Sequence, residues 1–397
     1  MIASLFTEIG GTAALAATLP GTVELVLVTS GALLRPQRCA PLAPADCRLA
    51  VVIPAHNEAA LIARCVQSIF DSIPKPEADQ VVVIADNCTD ETAALATAAG
   101  ARVIVRTNQE LRGKSHALRL GFETLSAEGF SAFLVIDADS LVSPNLLSKV
   151  LERLNSGAGA VQCRYQVANS SVSMRTRLMD VAFLAFNVLR PKGRAGFGLS
   201  CGVLGNGFAL RADTLTAIPY AADSIVEDLE YHLRLVTHSA GTEFLNDATV
   251  YGEIPSGAEA ARVQRSRWEG GRLRMAREWV PRLAAAVVSG KLSLLEPLLE
   301  LLTLPLSYHG LLLISALLLP GIHRMFAVAG LAVVGVHVLV ATWLADHPWK
   351  TLMALATAPF YVLWKLTTLD SVFSASRRNA DWVRTGRDPK IRLTPAD

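Results

Sequence analysis

The sequence is poor in charge, and it lacks the patterns that mark several common classes of protein. Of its 397 residues 18% are charged, against about 25% in a typical soluble domain. A formal net charge of +2 is too small to indicate a nucleic-acid partner. The chain shows no internal repeat and no low-complexity tract, so a repeat architecture is not indicated.

Cysteine is also sparse, and no two cysteines form a CxxC pair. The six are scattered along the chain at Cys39, Cys47, Cys65, Cys88, Cys163 and Cys201. Their spacing indicates neither a zinc site nor a disulfide framework, and it fits a reducing compartment. No GK[ST] follows the glycine-rich stretch around Asn206, so that stretch is not a P-loop. Its glycines either let the backbone approach a ligand closely or form turns.

Hydrophobic residues, by contrast, make up 51% of the chain, and the mean hydropathy is +0.37. Four stretches are candidates for membrane spans: 9–34, 301–320, 325–345 and 351–369. A cleaved signal peptide is the weaker interpretation of the first, because no basic n-region precedes it. The ionisable side chains in or beside the C-terminal stretches form no obvious pairs, so transport is not indicated. These side chains are Glu296, Glu300, His309, His337 and Lys365.

Basic residues flank the apolar stretches. Arg35, Arg38 and Arg48 follow the first stretch, and by the positive-inside rule they place the next domain in the cytoplasm. The tail is basic too, with Arg377, Arg378, Arg384, Arg387, Lys390 and Arg392. A cytoplasmic tail requires an even number of C-terminal crossings, which three candidates contradict, so the number of spans stays open. The expected location is the cell inner (plasma) membrane, with the intervening domain cytoplasmic.

Residues 49–256 have the pattern of an α/β domain. Short β-branched runs such as "LAVVIP" and "VVVIAD" alternate with segments whose apolar residues recur at helical spacing. Four such strand–helix pairs follow one another, which predicts a parallel sheet covered by helices on both faces. Ligands of such sheets bind at the carboxyl ends of the strands, so the polar residues that follow the strands are candidates for a site.

Acidic residues follow two of the buried strands and begin one helix. The three clusters are Asp86 with Asp90, Asp137 with Asp139, and Glu227 with Asp228. Carboxylates near a helix N-terminus are also good caps, and that explanation stays open for Asp90 and Glu227. Asp137 and Asp139, one residue apart after a strand, are expected to project to the same side and to need a cation. Mg²⁺ or Mn²⁺ shared with substrate phosphates fits such ligands.

Two further segments carry chemistry. Lys114 precedes a predicted helix, where it is either solvated or supplies charge beside a pyrophosphate. Residues 264–268 read "QRSRW", and on a helix Gln264, Arg267 and Trp268 share one face. That face is either a membrane-surface anchor or one wall of a site for a charged, ring-shaped substrate. The surrounding segment 257–300 has the composition of amphipathic helices in the headgroup region.

Taken in order, "VVIPAHNE", "DNCTD", "DAD", "ED" and "QRSRW" resemble the motif set of family 2 glycosyltransferases of the GT-A fold. The resemblance covers residues 49–270 and is to the membrane-bound branch. That branch includes chitin-oligosaccharide, hyaluronan and cellulose synthases and ceramide glucosyltransferases. Each motif is weak alone, and the ordered set is specific.

The resemblance implies roles for the matching positions. On the donor side, Pro54, Glu58 and Asp86 would line the uridine pocket, Lys114 and Asp137 would contact the nucleotide sugar, and Asp139 would face Mg²⁺ or Mn²⁺. On the acceptor side, Asp228 would be the general base and Glu227 would lie beside the acceptor. Gln264, Arg267 and Trp268 would hold the diphosphate and form the acceptor platform. "VED" replaces the frequent "TED" at 226–228, which leaves the Glu227 contact open.

The resemblance implies inverting transfer of a hexose from a UDP-sugar to a polysaccharide or lipid-linked glycan, and it adds a polysaccharide export partner to the expected partners. The alternatives are a single-addition glycolipid enzyme, a polyprenyl-phosphate sugar transferase, and an inactive scaffold of an export complex. The expected division is an N-terminal transmembrane segment 1–35, linker 36–48, GT-A catalytic domain 49–256, interface helices 257–300, C-terminal transmembrane region 301–370 and basic tail 371–397.

Overall fold

The structure is a computed structural model that describes residues 2–39, 42–72, 79–222, 224–255 and 257–377. It contains two compact units that interleave along the chain. The unit that we call the sheet unit holds the described residues of 35–172 and 195–257. The helical unit holds those of 2–34, 173–194 and 258–377. Most of the basic tail lies outside the described residues.

The sheet unit begins with alternating strands and helices. Its strands are β1 (Leu49–Ala55), β2 (Val81–Asp86), β3 (Arg102–Arg106), β4 (Ala132–Val135), β5 (Leu141–Val142), β6 (Ala160–Val167), β7 (Phe208–Arg211) and β8 (Thr242–Gly252). Its helices are α2 (Ile62–Asp71), α3 (Thr92–Ala98), α4 (Lys114–Ala127), α5 (Leu146–Asn155), α8 (Ala212–Ala217) and α9 (Glu227–Thr237). The four strand–helix pairs expected from the sequence are therefore present.

The described strands form one sheet in the order β3-β2-β1-β4-β7-β6-β8-β5. The half from β3 to β4 is parallel, as expected. The expectation of a wholly parallel sheet is wrong, because β7 runs antiparallel to both β4 and β6. Strand β7 follows a glycine-rich turn and not a crossover helix. The strand–helix pattern of the sequence therefore could not predict the direction of β7.

Strand β1 is apolar throughout because both of its faces are covered. Leu49, Val51 and Ile53 pack into one buried cluster with helix α2 and the strands around it. The alternate residues Ala50 and Val52 pack into the cluster on the opposite face, against helix α4. Side chains of a strand point alternately to its two faces, so a strand buried on both sides has no polar positions.

The helical unit is built of helices of very different lengths. They are α1 (Ile2–Gly31), α6 (Met174–Leu184), a π-helical turn (Ala185–Leu189), α7 (Arg190–Gly196, whose last two residues belong to the sheet unit), α10 (Ala258–Val288), α11 (Leu295–Leu302), α12 (Leu306–Ala316), α13 (Ile322–Trp343), α14 (Pro348–Ala354), α15 (Ala358–Leu366) and α16 (Leu369–Ala375). Three-residue 3₁₀ turns precede α11 and α15, at Leu292–Leu294 and Leu355–Thr357.

Two of the described helices, Glu8–Gly31 and Ile322–Trp343, are long and apolar enough to cross a membrane. They correspond to the candidate stretches 9–34 and 325–345. The other two candidates are bent in the structure. Leu292–Leu302 and Leu306–Ala316 meet at 79°, and Pro348–Leu366 meets Leu369–Ala375 at 58°. Counting each bent pair as one span gives up to four spans by length and composition.

A cluster of buried ionic side chains holds the helical unit together. Glu24 of α1 is fully buried and lies 3.2 Å from Arg190 and 3.1 Å from Arg194. Arg194 also contacts Glu296 and lies 3.1 Å from Glu300. The expectation that Glu296 and Glu300 form no pairs is therefore wrong. The partner arginine is about a hundred residues away in sequence, beyond the reach of local spacing.

The two histidines expected among the apolar helices contact helix α1. His309 Nε2 lies 3.3 Å from the hydroxyl of Thr22, and His337 Nδ1 lies 2.8 Å from the hydroxyl of Thr29. Both are buried, so these bonds satisfy polar atoms within the helix packing.

Candidate active site

The carboxyl end of β2 presents a buried carboxylate with a fixed orientation. Asp86 pairs in register with Arg106 at the end of β3, so the two side chains leave neighbouring strands at one level. Arg106 Nη1 donates to Asp86 Oδ1 at 2.6 Å, and Asn87 Nδ2 donates to the same oxygen at 3.0 Å. Both carboxylate and guanidinium are largely buried. Asp86 is therefore an oriented hydrogen-bond acceptor at this edge.

The loops that follow β1, β2 and β3 are tied together around Asp86. His56 Nδ1 donates to the Asp86 carbonyl oxygen at 2.7 Å. Asn57 and Asn87 adopt left-handed backbone conformations, with φ of 56° and 52°, which asparagine tolerates better than most residues. Their side chains accept hydrogen bonds from the backbones of Thr89 and Asn108, at 2.8 Å each. These hydrogen bonds hold the loops at the ends of β1, β2 and β3 together, and we call the three loops the frame.

Pro54 and Glu58 belong to the same edge. Pro54 lies near the end of β1, in register with Ile84 of β2. The backbone N–H of Glu58 donates to Thr92 Oγ1 at 2.8 Å, which ties the loop after β1 to the start of α3. Asp90 accepts from the backbone N–H of Thr92 at 3.0 Å, so the capping explanation fits Asp90.

Asp137 and Asp139 follow β4, and they differ in exposure and partners. We expected the alternation of a strand to place both side chains on one side. Strand β4 ends at Val135, before either aspartate, so strand alternation does not determine where they point. The Asp137 side chain is about one-third exposed, and it accepts from Lys114 Nζ. Asp139 is buried, and Ser140 Oγ donates to its Oδ1 at 3.3 Å. The two carboxylates therefore lie in different environments.

Asn206 shapes the turn that carries these two aspartates. Its Oδ1 accepts from the backbone N–H of Asp137 at 3.1 Å, and its Nδ2 donates to Ser140 Oγ at 2.8 Å. Asn206 is buried, and Gln162 Nε2 donates to its carbonyl oxygen at 2.8 Å. The glycine-rich stretch therefore positions the aspartate turn, a role that its composition did not reveal.

Lys114, the first residue of α4, links the aspartate turn to the glycine-rich stretch. Its ammonium donates to Asp137 Oδ1 and, at 2.5 Å, to the carbonyl oxygen of Gly205. Burial disfavours the ammonium, but Asp137 and Glu227 outweigh that cost, with a smaller contribution from Asp228, so the pKa of Lys114 is raised. Lys114 is therefore an internal cation among carboxylates.

Glu227 and Asp228 begin α9 and lie beside this lysine. A Cβ placed on Gly205, whose φ is +76°, would meet Asp228 Oδ2 at 2.9 Å. Burial first, and then the Asp228 charge, raises the pKa of Glu227 to about 7. Burial also raises the pKa of Asp228, opposed by the Leu229 N–H and by Lys114. A carboxylate with a raised pKa is a stronger base than an exposed one.

The sheet unit thus brings together residues that lie far apart in sequence. Asp137, Lys114, Glu227 and Asp228 form one charged cluster beside Gly205. Strands β2, β1 and β4 are neighbours and parallel, so Asp86 and the aspartate turn follow strands that end at the same edge. The sequence did not single out Arg106 or Asn206 as site residues. Arg106 could have been proposed, because it ends the run "ARVIVR" as Asp86 ends "VVVIAD".

A divalent metal ion fits the aspartate turn if substrate supplies most of its ligands. Within the described ranges, no three His, Cys, Asp or Glu side chains lie close enough to hold a metal ion. One or two carboxylates plus phosphate oxygens is the usual way in which proteins hold Mg²⁺. Asp139, buried and with hard oxygen donors, is the residue best suited to this role.

The "QRSRW" segment lies on α10 of the helical unit. Gln264, Arg267 and Trp268 therefore occupy a continuous helix, where their spacing places them on one face. The Trp268 ring packs against Phe183 of α6, with ring centroids 5.8 Å apart. This contact helps to fix the orientation of the Trp268 ring.

Comparisons with known proteins show which proteins this chain is similar to. The model of a family described as glycosyltransferase like family 2 matches residues 44–271, more than half of the chain. The probable glycosyltransferase YdaM of Bacillus subtilis is 25% identical over 235 residues, which are 56% of this chain and 55% of that protein. Beta-monoglucosyldiacylglycerol synthase of Synechocystis is 29% identical over 258 residues, 62% of this chain and 53% of that protein. The chain thus spans about half the length of these relatives.

Among solved structures, a mannosyltransferase from Pyrobaculum calidifontis, determined in complex with GDP-mannose and Mn²⁺, has a similar fold. The TM-score is 0.55 at 19% identity, and the likeness covers 92% of this chain and 96% of that one. The GT-A-like fold expected from the sequence motifs is confirmed, with a mixed sheet.

Proposed function

As a member of glycosyltransferase family 2 this chain is a glycosyltransferase, and we propose that it moves a sugar from a UDP-sugar, with inversion, to a membrane-associated glycan or lipid acceptor. The observation that carries the proposal is the charged cluster of the sheet unit. It places a carboxylate of raised pKa, Asp228, beside a lysine and the aspartate turn.

The donor nucleotide is assigned to the frame at the ends of β1, β2 and β3. Asp86, oriented by Arg106, accepts a hydrogen bond from the base or the ribose. Pro54 and Glu58 line the same pocket. Because the Asp86 Oδ1 atom is already hydrogen-bonded, its second oxygen is the one assigned to the nucleotide.

Transfer needs one base and a stabilised leaving group. Asp228 accepts the proton of the acceptor hydroxyl while that oxygen forms a bond to the anomeric carbon. The bond between the anomeric carbon and the diphosphate oxygen breaks, and its electron pair leaves with UDP. No covalent enzyme intermediate is needed, and the configuration at the anomeric carbon inverts.

Positive charge is needed beside the departing UDP. Asp139 would hold Mg²⁺ or Mn²⁺, and the ion would supply positive charge where the leaving group becomes more negative. The family resemblance assigns Lys114 and Asp137 to the donor and Glu227 to the acceptor. It assigns Gln264, Arg267 and Trp268 to the diphosphate and the acceptor platform. The alternative is that residues 264–268 anchor the protein at the membrane surface.

The acceptor is assigned to the membrane. Large apolar side chains are exposed on the long helices, including Val336 of α13 and Phe360 of α15. We assign α1, α13 and the bent pairs to the inner membrane and the sheet unit to the cytoplasm. We propose the same domain boundaries as the sequence predicts, after residues 35, 48, 256, 300 and 370.

Addition of a single sugar to a lipid is the second candidate function. Beta-monoglucosyldiacylglycerol synthase is among the relatives and is 29% identical over 62% of this chain. Sizing the products of labelled donor separates the two: a ladder indicates polysaccharide synthesis, and one shifted lipid band indicates single addition.

The test uses the purified full-length protein and the variant D228N. The wild type is expected to release UDP from one of UDP-glucose, UDP-galactose, UDP-N-acetylglucosamine or UDP-glucuronate when Mg²⁺ or Mn²⁺ is added. D228N should bind that donor with unchanged affinity and lose transfer. The control D247N removes an exposed carboxylate of β8, 61% accessible, and should transfer normally.

Two results would contradict the proposal. Near-normal turnover by D228N would remove Asp228 from the role of base. Absence of metal-dependent nucleotide release with every donor, GDP-mannose included, would favour the inactive scaffold.

A further inference from the structure

Helix α15 has its apolar side chains outside and its polar side chains inside. Phe360 and Leu363 are 75% and 60% exposed, whereas Lys365 is 4% exposed. Tyr361 and Trp364 lie on the inner side, with ring centroids 5.7 Å apart. This orientation places an apolar surface directly beside a polar interior.

Two arginines from other helices flank this pair of rings. The Arg175 guanidinium of α6 lies over the Trp364 ring, 5.4 Å from its centroid. The Arg265 guanidinium of α10 lies over the Tyr361 ring, 5.0 Å from its centroid. A guanidinium stacked on a ring keeps its N–H groups in one plane, where they can form the paired hydrogen bonds that phosphate oxygens accept.

The same cluster carries more cations than anions. Lys365 Nζ lies 2.7 Å from Glu269 Oε1 and 4.7 Å from the Tyr308 ring centroid. Arg175, Arg265 and Lys365 are three cations, and Glu269 is the carboxylate among them. Burial, and then repulsion by Arg265, lowers the pKa of Arg175, so the two guanidiniums destabilise each other.

One polar atom of the cluster also lacks a hydrogen-bond partner. In the part of the chain that the structure describes, the buried hydroxyl oxygen of Tyr361 has none. A buried hydroxyl without a partner is costly, and an oxygen-rich ligand would satisfy it.

We propose that Arg175 and Arg265, with Tyr361 and Trp364, bind the phosphate group of an anionic membrane lipid. A membrane lipid is favoured over soluble phosphate because the exposed Phe360 and Leu363 surface of the same helix suits acyl chains. The assignment rests on the membrane association in the proposed function. It concerns a site formed within the helical unit.

The test measures the thermal stability of the full-length protein in neutral detergent during titration with phosphatidylglycerol. Phosphatidylcholine and inorganic phosphate are the parallel titrations. The double variant R175Q/R265Q is compared with R282Q, which removes an exposed arginine of α10 that also stacks on a tryptophan, Trp279. Each arginine near an anionic lipid contributes about 1 kcal/mol, so the double variant should bind about thirtyfold more weakly.

Phosphatidylglycerol should raise the melting temperature of the wild type and R282Q at low concentration, and that of the double variant at about thirtyfold higher concentration. Equal effects on all three proteins would overturn the inference, as would an equal effect of inorganic phosphate on the wild type. If the double variant does not fold, R175K/R265K replaces it, and the loss of the stacked guanidiniums should still weaken binding.

Nucleotide release in the absence of added lipid separates this inference from the proposed function. Absence of any lipid effect on the wild type, with normal nucleotide release, contradicts the lipid site alone. If lipid raises the melting temperature of the wild type but no donor releases its nucleotide, the proposed transfer is contradicted and the lipid site is supported.

Discussion

Replacement of Lys114 by methionine tests whether this lysine tunes the proposed base. Lys114 is hydrogen-bonded to Asp137 and Gly205, and Gly205 lies against the Asp228 carboxylate. The Lys114 charge opposes the effect of burial on the pKa of Asp228. K114M removes that charge while keeping a side chain of similar length.

The size of the effect follows from the charge arrangement. A nearby cation lowers a carboxyl pKa by about 1 to 3 pH units, and Lys114 reaches Asp228 across a half-buried site, so about 1 unit is expected. Removal of Lys114 should therefore raise the apparent pKa of the Glu227–Asp228 pair by about 1 unit, or about 1.4 kcal/mol. Because the base must be ionised, the rate below that pKa should fall about tenfold and recover at higher pH.

The assay is the pH dependence of kcat/KM for UDP release. The rising limb of K114M should lie about 1 pH unit above that of the wild type, whereas K114R, which keeps the charge, should lie near the wild type. Lys149, whose exposed side chain pairs with Glu152, supplies the control K149M. A K114M profile that is lower but not displaced would refute the reasoning and leave Lys114 as a donor contact.

Three further outcomes follow from other contacts. R106L should raise the donor KM about tenfold with kcat nearly unchanged, because Asp86 loses the cation that orients it; a fall confined to kcat would contradict this. E24Q should destabilise the detergent-purified protein by about 3 to 5 kcal/mol, since it breaks a buried ion cluster, whereas E8Q at an exposed position should not. The pKa of Glu227, raised to about 7, means that the folded state keeps its proton longer than the unfolded state, so stability should fall as pH rises from about 4.5 to about 7. E227Q should remove that slope in thermal melts recorded across this range, and an unchanged slope would exclude Glu227 as its source.

The parallel half of the sheet could be predicted because β1, β2 and β4 are buried on both faces. Residues 81–85, for example, are continuously apolar, and helical spacing follows this run. Strands β6 and β8 escaped prediction because charged and polar residues interrupt them. In β8, for example, Asn246 and Asp247 are exposed in the middle of the strand.

The candidate site was predictable where residues follow strands and unpredictable where they meet across the sheet. Asp86 and Asp137 could be proposed because they follow apolar runs. Asn206 could not, because its contacts with the aspartate turn depend on β7 lying antiparallel to β4. Pairs between Arg194 and the distant Glu296 also depend on helix packing, which spacing alone does not encode.

The peptide that joins Gly205 to its neighbours has a mechanical consequence. Its carbonyl oxygen anchors the Lys114 ammonium, and its Cα leaves the space that Asp228 occupies. A side chain at this position would meet the Asp228 carboxylate and strain the left-handed backbone that presents the carbonyl oxygen to Lys114. One residue without a Cβ therefore keeps the cation and the carboxylate in place together.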